Sequence, residues 1–187
     1  MPYIPLDEKL PGITSLLQYR LDTALPIRQL TQILLRGEST LTEGERELIA
    51  TVVSFGNECR FCTAAHSAAA DLCLGESGTA DKVKNDPSNA PVSPKMKALL
   101  NIARAVQVNG KNVTPEMVLE AKNEGATDRE LHDTVLISAL FSLYNRYVDG
   151  LASVTPAEPA FYERLGNILL KNGYLPSENR YASLKEA

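Results

Sequence analysis

Apolar residues recur at three- and four-residue intervals along most of the chain, which is the spacing of amphipathic helices. Residues 42–56 and 127–148 are the clearest cases, because each segment begins with the capping-box pattern Thr-x-x-Glu. Valine and isoleucine occupy helical positions and do not alternate with polar residues, so strand signals are nearly absent. The pattern therefore predicts an all-α protein.

Further helices are predicted on both sides of these two. Within residues 13–36, Pro26 is expected to open a helix that ends at Arg36, because proline suits the first turn of a helix. Residues 76–94 are rich in glycine, proline, serine and asparagine, which predicts a loop with one helical turn near residues 80–84. The other predicted helices cover residues 59–74, 94–108, 114–125 and 159–170.

The length of 187 residues predicts one domain, since domains average roughly 150 residues. Residues 1–36 would add N-terminal helices to a central part over about 40–150. Residues 171–187 form a polar tail, which we expect to lie on the surface or against a neighbouring subunit. An apolar set of helices with such a tail favours a homo-oligomer.

The composition excludes several classes of protein. With 19 basic and 23 acidic residues the formal charge is −4, so no basic surface for nucleic acid is expected. No run approaches the ~20 consecutive apolar residues of a membrane helix. The N-terminus lacks the charged and apolar regions of a signal peptide, so a cytoplasmic location is expected.

The cysteines are the part of the composition that points to chemistry. Cys59, Cys62 and His66 stand at positions i, i+3 and i+7, which form one stripe on a helix. His66 lies four residues after Cys62 and can reach its thiol, while the helix N-terminus should favour a thiolate. The three residues supply a nucleophile, a second thiol to resolve it and a proton acceptor.

The preceding helix is expected to add a carboxylate. If the chain reverses near residues 57–58, Glu47 and His66 stand at similar heights on two antiparallel helices. Small residues on the facing sides would allow the helices to approach closely. Glu43 shares the face of Glu47 one turn further out, and Glu45 should point elsewhere.

Each of these residues also has a possible structural role. The two CxxC cysteines could be small buried residues, and Glu47 could be a solvated charge. A zinc site would need about four ligands, whereas this stripe gives three. His132 is expected on the surface, and Cys73 in the core rather than in a redox pair.

Glu47 precedes Cys59 by twelve residues, and the pattern CxxCxxxH follows. In this combination, residues 45–50 and 57–66 resemble the AhpD-like alkylhydroperoxidase family of the carboxymuconolactone decarboxylase superfamily. Residues 93–100 and 139–150 are similar to its peroxidase-related branch, so the resemblance covers about 40–150. It implies an AhpD-like helical bundle that forms homo-oligomers.

The resemblance also implies a mechanism. Cys62 would attack the peroxide and become a sulfenic acid, Cys59 would resolve it to a disulfide, and His66 and Glu47 would relay protons. A thiol donor, which in the archetype is a protein-bound lipoamide, would reduce the disulfide. The substrate would be an alkyl hydroperoxide or hydrogen peroxide, and no metal, flavin or haem is implied.

This chain departs from the family at the residues between the cysteines. Archetypal members often have a histidine there, whereas this chain has Arg60 and Phe61, so the proton relay would be shorter. Residues 144–146, Tyr-Asn-Arg, match a family pattern that the sequence does not explain. Two alternatives stay open: a lyase of the decarboxylase branch, which characteristically lacks the CxxC, and a non-catalytic redox sensor.

Overall fold

The computed structural model describes residues 1–176. Over this range the chain is all-α, as predicted, and no residue of it lies in a β-strand. Two short 3₁₀ helices cover Pro87–Asn89 and Gly110–Asn112. The α-helices are α1 (Ile13–Tyr19), α2 (Leu21–Arg36), α3 (Glu43–Gly56), α4 (Arg60–Leu74), α5 (Thr79–Asn85), α6 (Pro94–Val108), α7 (Pro115–Asn123), α8 (Asp128–Gly150) and α9 (Pro159–Asn172).

Both predicted capping boxes are formed. At the start of α3 the Thr42 hydroxyl accepts a hydrogen bond from the Glu45 backbone N–H at 3.2 Å, and the Glu45 carboxylate accepts one from the Thr42 backbone N–H at 2.8 Å. Thr127 and Glu130 repeat the arrangement at the start of α8. These side chains satisfy N–H groups that a helix N-terminus would otherwise leave unpaired.

The predicted start of α2 at Pro26 is wrong. The helix begins at Leu21, and Pro26 lies inside it. Its first turn forms without proline, since the Ala24 N–H donates to the Arg20 carbonyl at 3.1 Å. Asp22 in that turn favours the positive end of the helix dipole and pairs with Arg20 at 3.0 Å.

Helices α3 and α4 form the antiparallel pair at the centre of the fold. The chain reverses at Asn57 and Glu58, where Glu58 adopts a positive φ of 59°. Buried small residues lie on both helices, including Ala50 on α3 and Ala65 and Ala69 on α4, so the two backbones can approach closely. Helices α6 and α8 pack on α3, and α9 packs on α4.

Among residues 1–176, no helix combines the length and the apolar character needed to cross a bilayer.

Candidate active site

The two cysteines of the CxxC motif lie at the buried N-terminus of α4. Cys59 is the residue before the helix rather than part of its first turn, and Cys62 is the third helical residue. The Cys59 N–H donates to the Ser54 carbonyl at 3.1 Å, and its carbonyl accepts from the Thr63 N–H at 2.9 Å. Both thiols are free and buried, and they form a hydrogen bond with each other.

Helix α8 supplies two polar neighbours to these thiols. Asn145 lies close enough to the Cys62 thiol to influence its pKa, and Asp149, one turn later, is similarly close to the Cys59 thiol. Asn145 is itself held in place, because its Nδ2 donates to Ser54 Oγ at 3.0 Å and its Oδ1 accepts from Asn57 Nδ2 at 2.9 Å. The structure thus explains Asn145 as a residue that orients the CxxC.

The pKa of Cys62 is raised well above its ordinary value, contrary to the expected thiolate. The largest cause is the hydrogen bond with the Cys59 thiol, followed by burial and the charge that Cys59 would carry. The neighbouring Asn145 acts in the opposite direction but is outweighed. The resting protein therefore holds Cys62 as a thiol, and a base must remove its proton.

His66 lies one turn beyond Cys62, and Glu47 reaches it from α3. His66 Nδ1 is 2.7 Å from Glu47 Oε2, and the imidazole packs edge-on against the Phe141 ring with the centroids 4.5 Å apart. Glu47 is completely buried, with 0% of its surface exposed. The structure brings together all four residues predicted for the site, Cys59, Cys62, His66 and Glu47.

Two further partners of Glu47 were not predicted. Glu47 Oε1 accepts a hydrogen bond from Arg36 at the end of α2, at 2.6 Å, and another from the Tyr174 hydroxyl after α9, also at 2.6 Å. The prediction that the tail of residues 171–187 lies on the surface or against a neighbouring subunit is therefore wrong at Tyr174, whose hydroxyl is buried in the site. Residues 177–187, to which the same prediction extended, lie outside the described part of the chain.

The donors around Glu47 decide its charge. Burial, the largest effect, would raise the pKa of Glu47, but His66, Arg36 and Tyr174 together lower it to about 2. The carboxyl group is thus ionised at neutral pH. Burial and the nearby Glu47 charge raise the pKa of Tyr174 well above its usual value, so its hydroxyl keeps its proton.

Cys62 and His66 open into the same small cavity. Its volume is about 40 Å³, which is room for about three water-sized molecules. Most of the other lining side chains are apolar and come from α1, α4, α8 and α9, among them Leu17, Phe61 and Phe141. A small ligand in this cavity would meet both Cys62 and His66 in mostly apolar surroundings.

The remaining candidate residues lie outside this cavity. Glu45 forms the capping box, His132 is exposed, and Glu43 Oε2 lies 3.4 Å from Arg36 Nε. Cys73 is partly buried, 4.0 Å from an Arg36 nitrogen, and burial raises its pKa to about 11. Over residues 1–176, no three histidine, cysteine, aspartate or glutamate side chains are grouped to hold a metal ion.

Sequence and structure comparisons place the chain among known proteins. Residues 26–85 match the carboxymuconolactone decarboxylase family. The structure is similar to the alkylhydroperoxidase AhpD core of an uncharacterized peroxidase-related protein from Ralstonia eutropha JMP134, with a TM-score of 0.74 and 26% identity over 83% of this chain and 80% of that one. An uncharacterized peroxidase-related protein from Silicibacter sp. TM1040 shares the fold, with a TM-score of 0.73 and 24% identity over 82% and 78% of the two chains. No curated protein matches the sequence.

Proposed function

We propose that this chain, a member of the AhpD-like family, is a thiol-dependent peroxidase that cycles through a Cys59–Cys62 disulfide. One observation carries the proposal: Cys62 and His66 line one cavity, and His66 is bound to the buried, ionised Glu47. A thiol with a positioned base and a hydrogen-bonded second thiol is the equipment that two-electron peroxide reduction needs.

In the first step Cys62 is oxidised and the peroxide is reduced. Because the pKa of Cys62 is raised, its thiol needs a base, and His66 takes the proton. The resulting thiolate attacks the terminal oxygen of the hydroperoxide. The O–O bond breaks, the S–O bond forms, and Cys62 becomes a sulfenic acid. The departing alkoxide takes the proton from His66 and leaves as an alcohol; hydrogen peroxide would give water instead.

In the second step the oxidised cysteine is resolved. The Cys59 sulfur attacks the Cys62 sulfur, the S–O bond breaks, and the hydroxyl leaves as water with the proton that Cys59 loses. Asp149, which contacts the Cys59 thiol, stands where that proton departs. An external dithiol, of which lipoamide is the form used by the family archetype, then returns two electrons and two protons and is itself oxidised to a disulfide.

The residues between the cysteines fit a shorter proton relay. Arg60 is exposed, and Phe61 is buried against the rings of Phe161 and Tyr162, with centroids 6.4 and 5.9 Å away. Neither residue supplies an acid or a base to the cavity. His66 would therefore carry the proton in both directions, with Glu47 as its partner.

The proposal includes self-association. Helices α1 and α2 expose large apolar side chains, including Tyr19, Leu21 and Ile33, which a monomer would leave in water. A second copy of the chain that covers this surface would give a homo-oligomer.

Peroxide consumption with dihydrolipoamide as the reductant tests the function. We expect continuous turnover by the wild type, none by Cys62→Ser, and a stable sulfenic acid in Cys59→Ser that a sulfenic-acid reagent captures. Cys73→Ser is the matched control and should keep the turnover, since Cys73 does not line the cavity.

The same measurement separates the alternatives. A redox sensor would oxidise once and stop even with the dithiol present. The family match of residues 26–85 is the reason to test for a lyase of the decarboxylase branch. Such a lyase would act on a lactone acid, and Cys62→Ser would not change its activity. Either result would overturn the peroxidase assignment.

A further inference from the structure

Three donors from three separate segments surround the Glu47 carboxylate. His66 of α4 binds Oε2, while Arg36 of α2 and Tyr174 after α9 bind Oε1. The carboxylate is completely buried, so these contacts replace the water that would otherwise solvate it. Such an arrangement fixes both the charge and the orientation of the group.

Tyr174 is held at this place by the side of α2. Its backbone N–H donates to Gln32 Oε1 at 2.6 Å, and its carbonyl accepts from Arg28 at 3.3 Å. The Tyr174 ring lies parallel to the His66 imidazole, with the centroids 6.4 Å apart and an interplanar angle of 12°. Tyr174 therefore contacts the imidazole through its ring and the carboxylate through its hydroxyl.

Arg36 is fixed just as firmly. Its side chain is only 5% exposed, and it donates to the carbonyl of Leu35 at 2.9 Å and to that of Leu169 at 3.4 Å. The guanidinium also lies over the Tyr174 ring, 5.0 Å from its centroid, in a cation–π contact. A buried guanidinium needs carboxylate partners, and Glu47 is the buried one, at 2.6 Å, while the partly exposed Glu43 lies 3.4 Å from Arg36 Nε.

An ionised Glu47 dictates the form of neutral His66. Because a carboxylate only accepts hydrogen bonds, Nδ1 must carry the imidazole proton and donate it to Glu47. Nε2 then has the free lone pair, and His66 lines the cavity that also contains Cys62. This is the tautomer in which the imidazole can take a proton from a ligand or a thiol in the cavity.

We propose that Arg36 and Tyr174 are positioning residues of the active site, which hold Glu47 so that His66 keeps its proton on Nδ1 and uses Nε2 as the base for Cys62. The inference rests on the proposed peroxidase function for its kinetic consequence, but not for the state of His66. The charged and titratable groups that line the cavity with His66 are Arg28 on α2, Cys62 on α4, Tyr144 on α8, and Tyr174. Glu47 on α3 binds His66 directly, and Arg36 on α2 binds Glu47.

Nitrogen-15 NMR of the imidazoles tests the state of His66 without any activity measurement. The sequence has two histidines, so His132→Gln leaves His66 as the source of the remaining imidazole signals. Two-bond nitrogen–proton spectra, recorded over a pH series, should show neutral His66 as the Nδ1–H tautomer. In Arg36→Gln and, to a smaller extent, Tyr174→Phe, we expect the Nε2–H tautomer to become populated.

Kinetics test the consequence for the reaction. Tyr174→Phe keeps the ring but removes the hydroxyl, and a hydrogen bond to a charged group corresponds to about a tenfold effect or more. We expect kcat to fall about tenfold with little change in KM, and the acid limb of the pH–rate profile to move upward because Glu47 takes up a proton more readily. Tyr3→Phe, which alters an exposed ring near the N-terminus, is the matched control and should match the wild type.

Arg36→Lys keeps the charge and guards against a folding defect in Arg36→Gln. We expect it to restore the Nδ1–H tautomer and part of the turnover. An unchanged His66 tautomer in both Tyr174→Phe and Arg36→Gln, with wild-type pH profiles, would overturn the inference while leaving the peroxidase function intact. If the wild type consumes no peroxide but the variants show the predicted tautomer shifts, the proposed function is overturned and the positioning roles of Arg36 and Tyr174 remain.

Discussion

At the residue scale, Cys62 owes its properties to its neighbours rather than to its place in a helix. The third residue of a helix should favour a thiolate, yet the hydrogen bond with Cys59 and burial raise its pKa well above the ordinary value. The thiolate fraction is then small at neutral pH and rises with pH. Reactivity near pH 7 depends on proton transfer to His66.

We predict that Cys59→Ala shifts the ionisation of Cys62 to lower pH, because it removes the largest cause of the raised pKa. The rate of Cys62 alkylation by iodoacetamide, followed by mass spectrometry over a pH series, measures the effect. The wild-type rate should climb steadily above pH 9, about tenfold per pH unit, and the variant should reach the same rate at lower pH. A profile that stays in place or moves to higher pH would contradict the assignment of the cause.

Glu47 combines a role in stability with its role beside His66. Replacing it by glutamine leaves the buried Arg36 with only the partly exposed Glu43 as a counter-charge, and breaking a buried ion pair costs about 3–5 kcal/mol. We predict that Glu47→Gln lowers both turnover and the free energy of unfolding, measured by urea denaturation. Glu43→Gln is the control, because that carboxylate is 42% exposed and should change the stability by less than about 1 kcal/mol.

The lowered pKa of Glu47 also predicts how stability depends on pH. Its folded-state pKa of about 2 lies below the ordinary 4.5, so its contribution is fully present above pH 4.5 and is lost as the pH falls toward 2. Glu47→Gln should therefore lose less stability than the wild type over that interval. Equal losses in the two proteins would show that the carboxylate is not stabilised by folding.

At the element scale, the local signals predicted most of the helices. Capping boxes, first-turn prolines and closing glycines act within one or two turns, and α3, α6 and α8 begin where such signals stand. The start of α2 was predicted wrongly because the signal at Pro26 competes with the Arg20–Asp22 pair, which stabilises an earlier first turn. Boundaries depend on such small differences in free energy.

The packing of α4 against α9 gives a test at this scale. A Cβ added at Gly166 would lie 2.9 Å from Leu72 Cδ1 and 3.3 Å from the Ala68 backbone, so the Leu72 side chain would have to turn and α9 to shift from α4 by a few tenths of an ångström. We predict that Gly166→Ala destabilises the protein by about 1–3 kcal/mol. Gly150→Ala is the matched control, since its Cβ would meet open space, and it should leave the melting temperature unchanged or raise it. Equal stability of the two variants would contradict the close helix packing.

At the scale of the whole molecule, the site divides into a part that the sequence predicts and a part that it does not. Helical periodicity predicts that Cys59, Cys62 and His66 lie together. Glu47 is predicted beside them only if the turn between α3 and α4 makes the two helices antiparallel. Tyr174 lies 127 residues from Glu47, and no periodic pattern links them. Its position depends on the path of the chain after α9, which is decided by packing against α2. Arg36, a basic residue at an otherwise apolar helix end, indicates a buried ion pair. The sequence alone does not identify Glu47 as its carboxylate partner.

Self-association is the prediction that involves the largest surface. Leu21 and Ile33 are 64% and 66% exposed, so an interface that covers them would gain free energy from their burial. Light scattering after gel filtration should give the wild type a multiple of the 20.4 kDa subunit mass, and Leu21→Glu combined with Ile33→Glu should give the mass of one subunit. Leu119→Glu on α7 alters a similarly exposed leucine outside this surface and should leave the mass unchanged. A wild-type mass of 20.4 kDa would contradict self-association. A double variant that stays oligomeric would place the interface on another face, because an interface over α1 and α2 could not accommodate two buried carboxylates without partners.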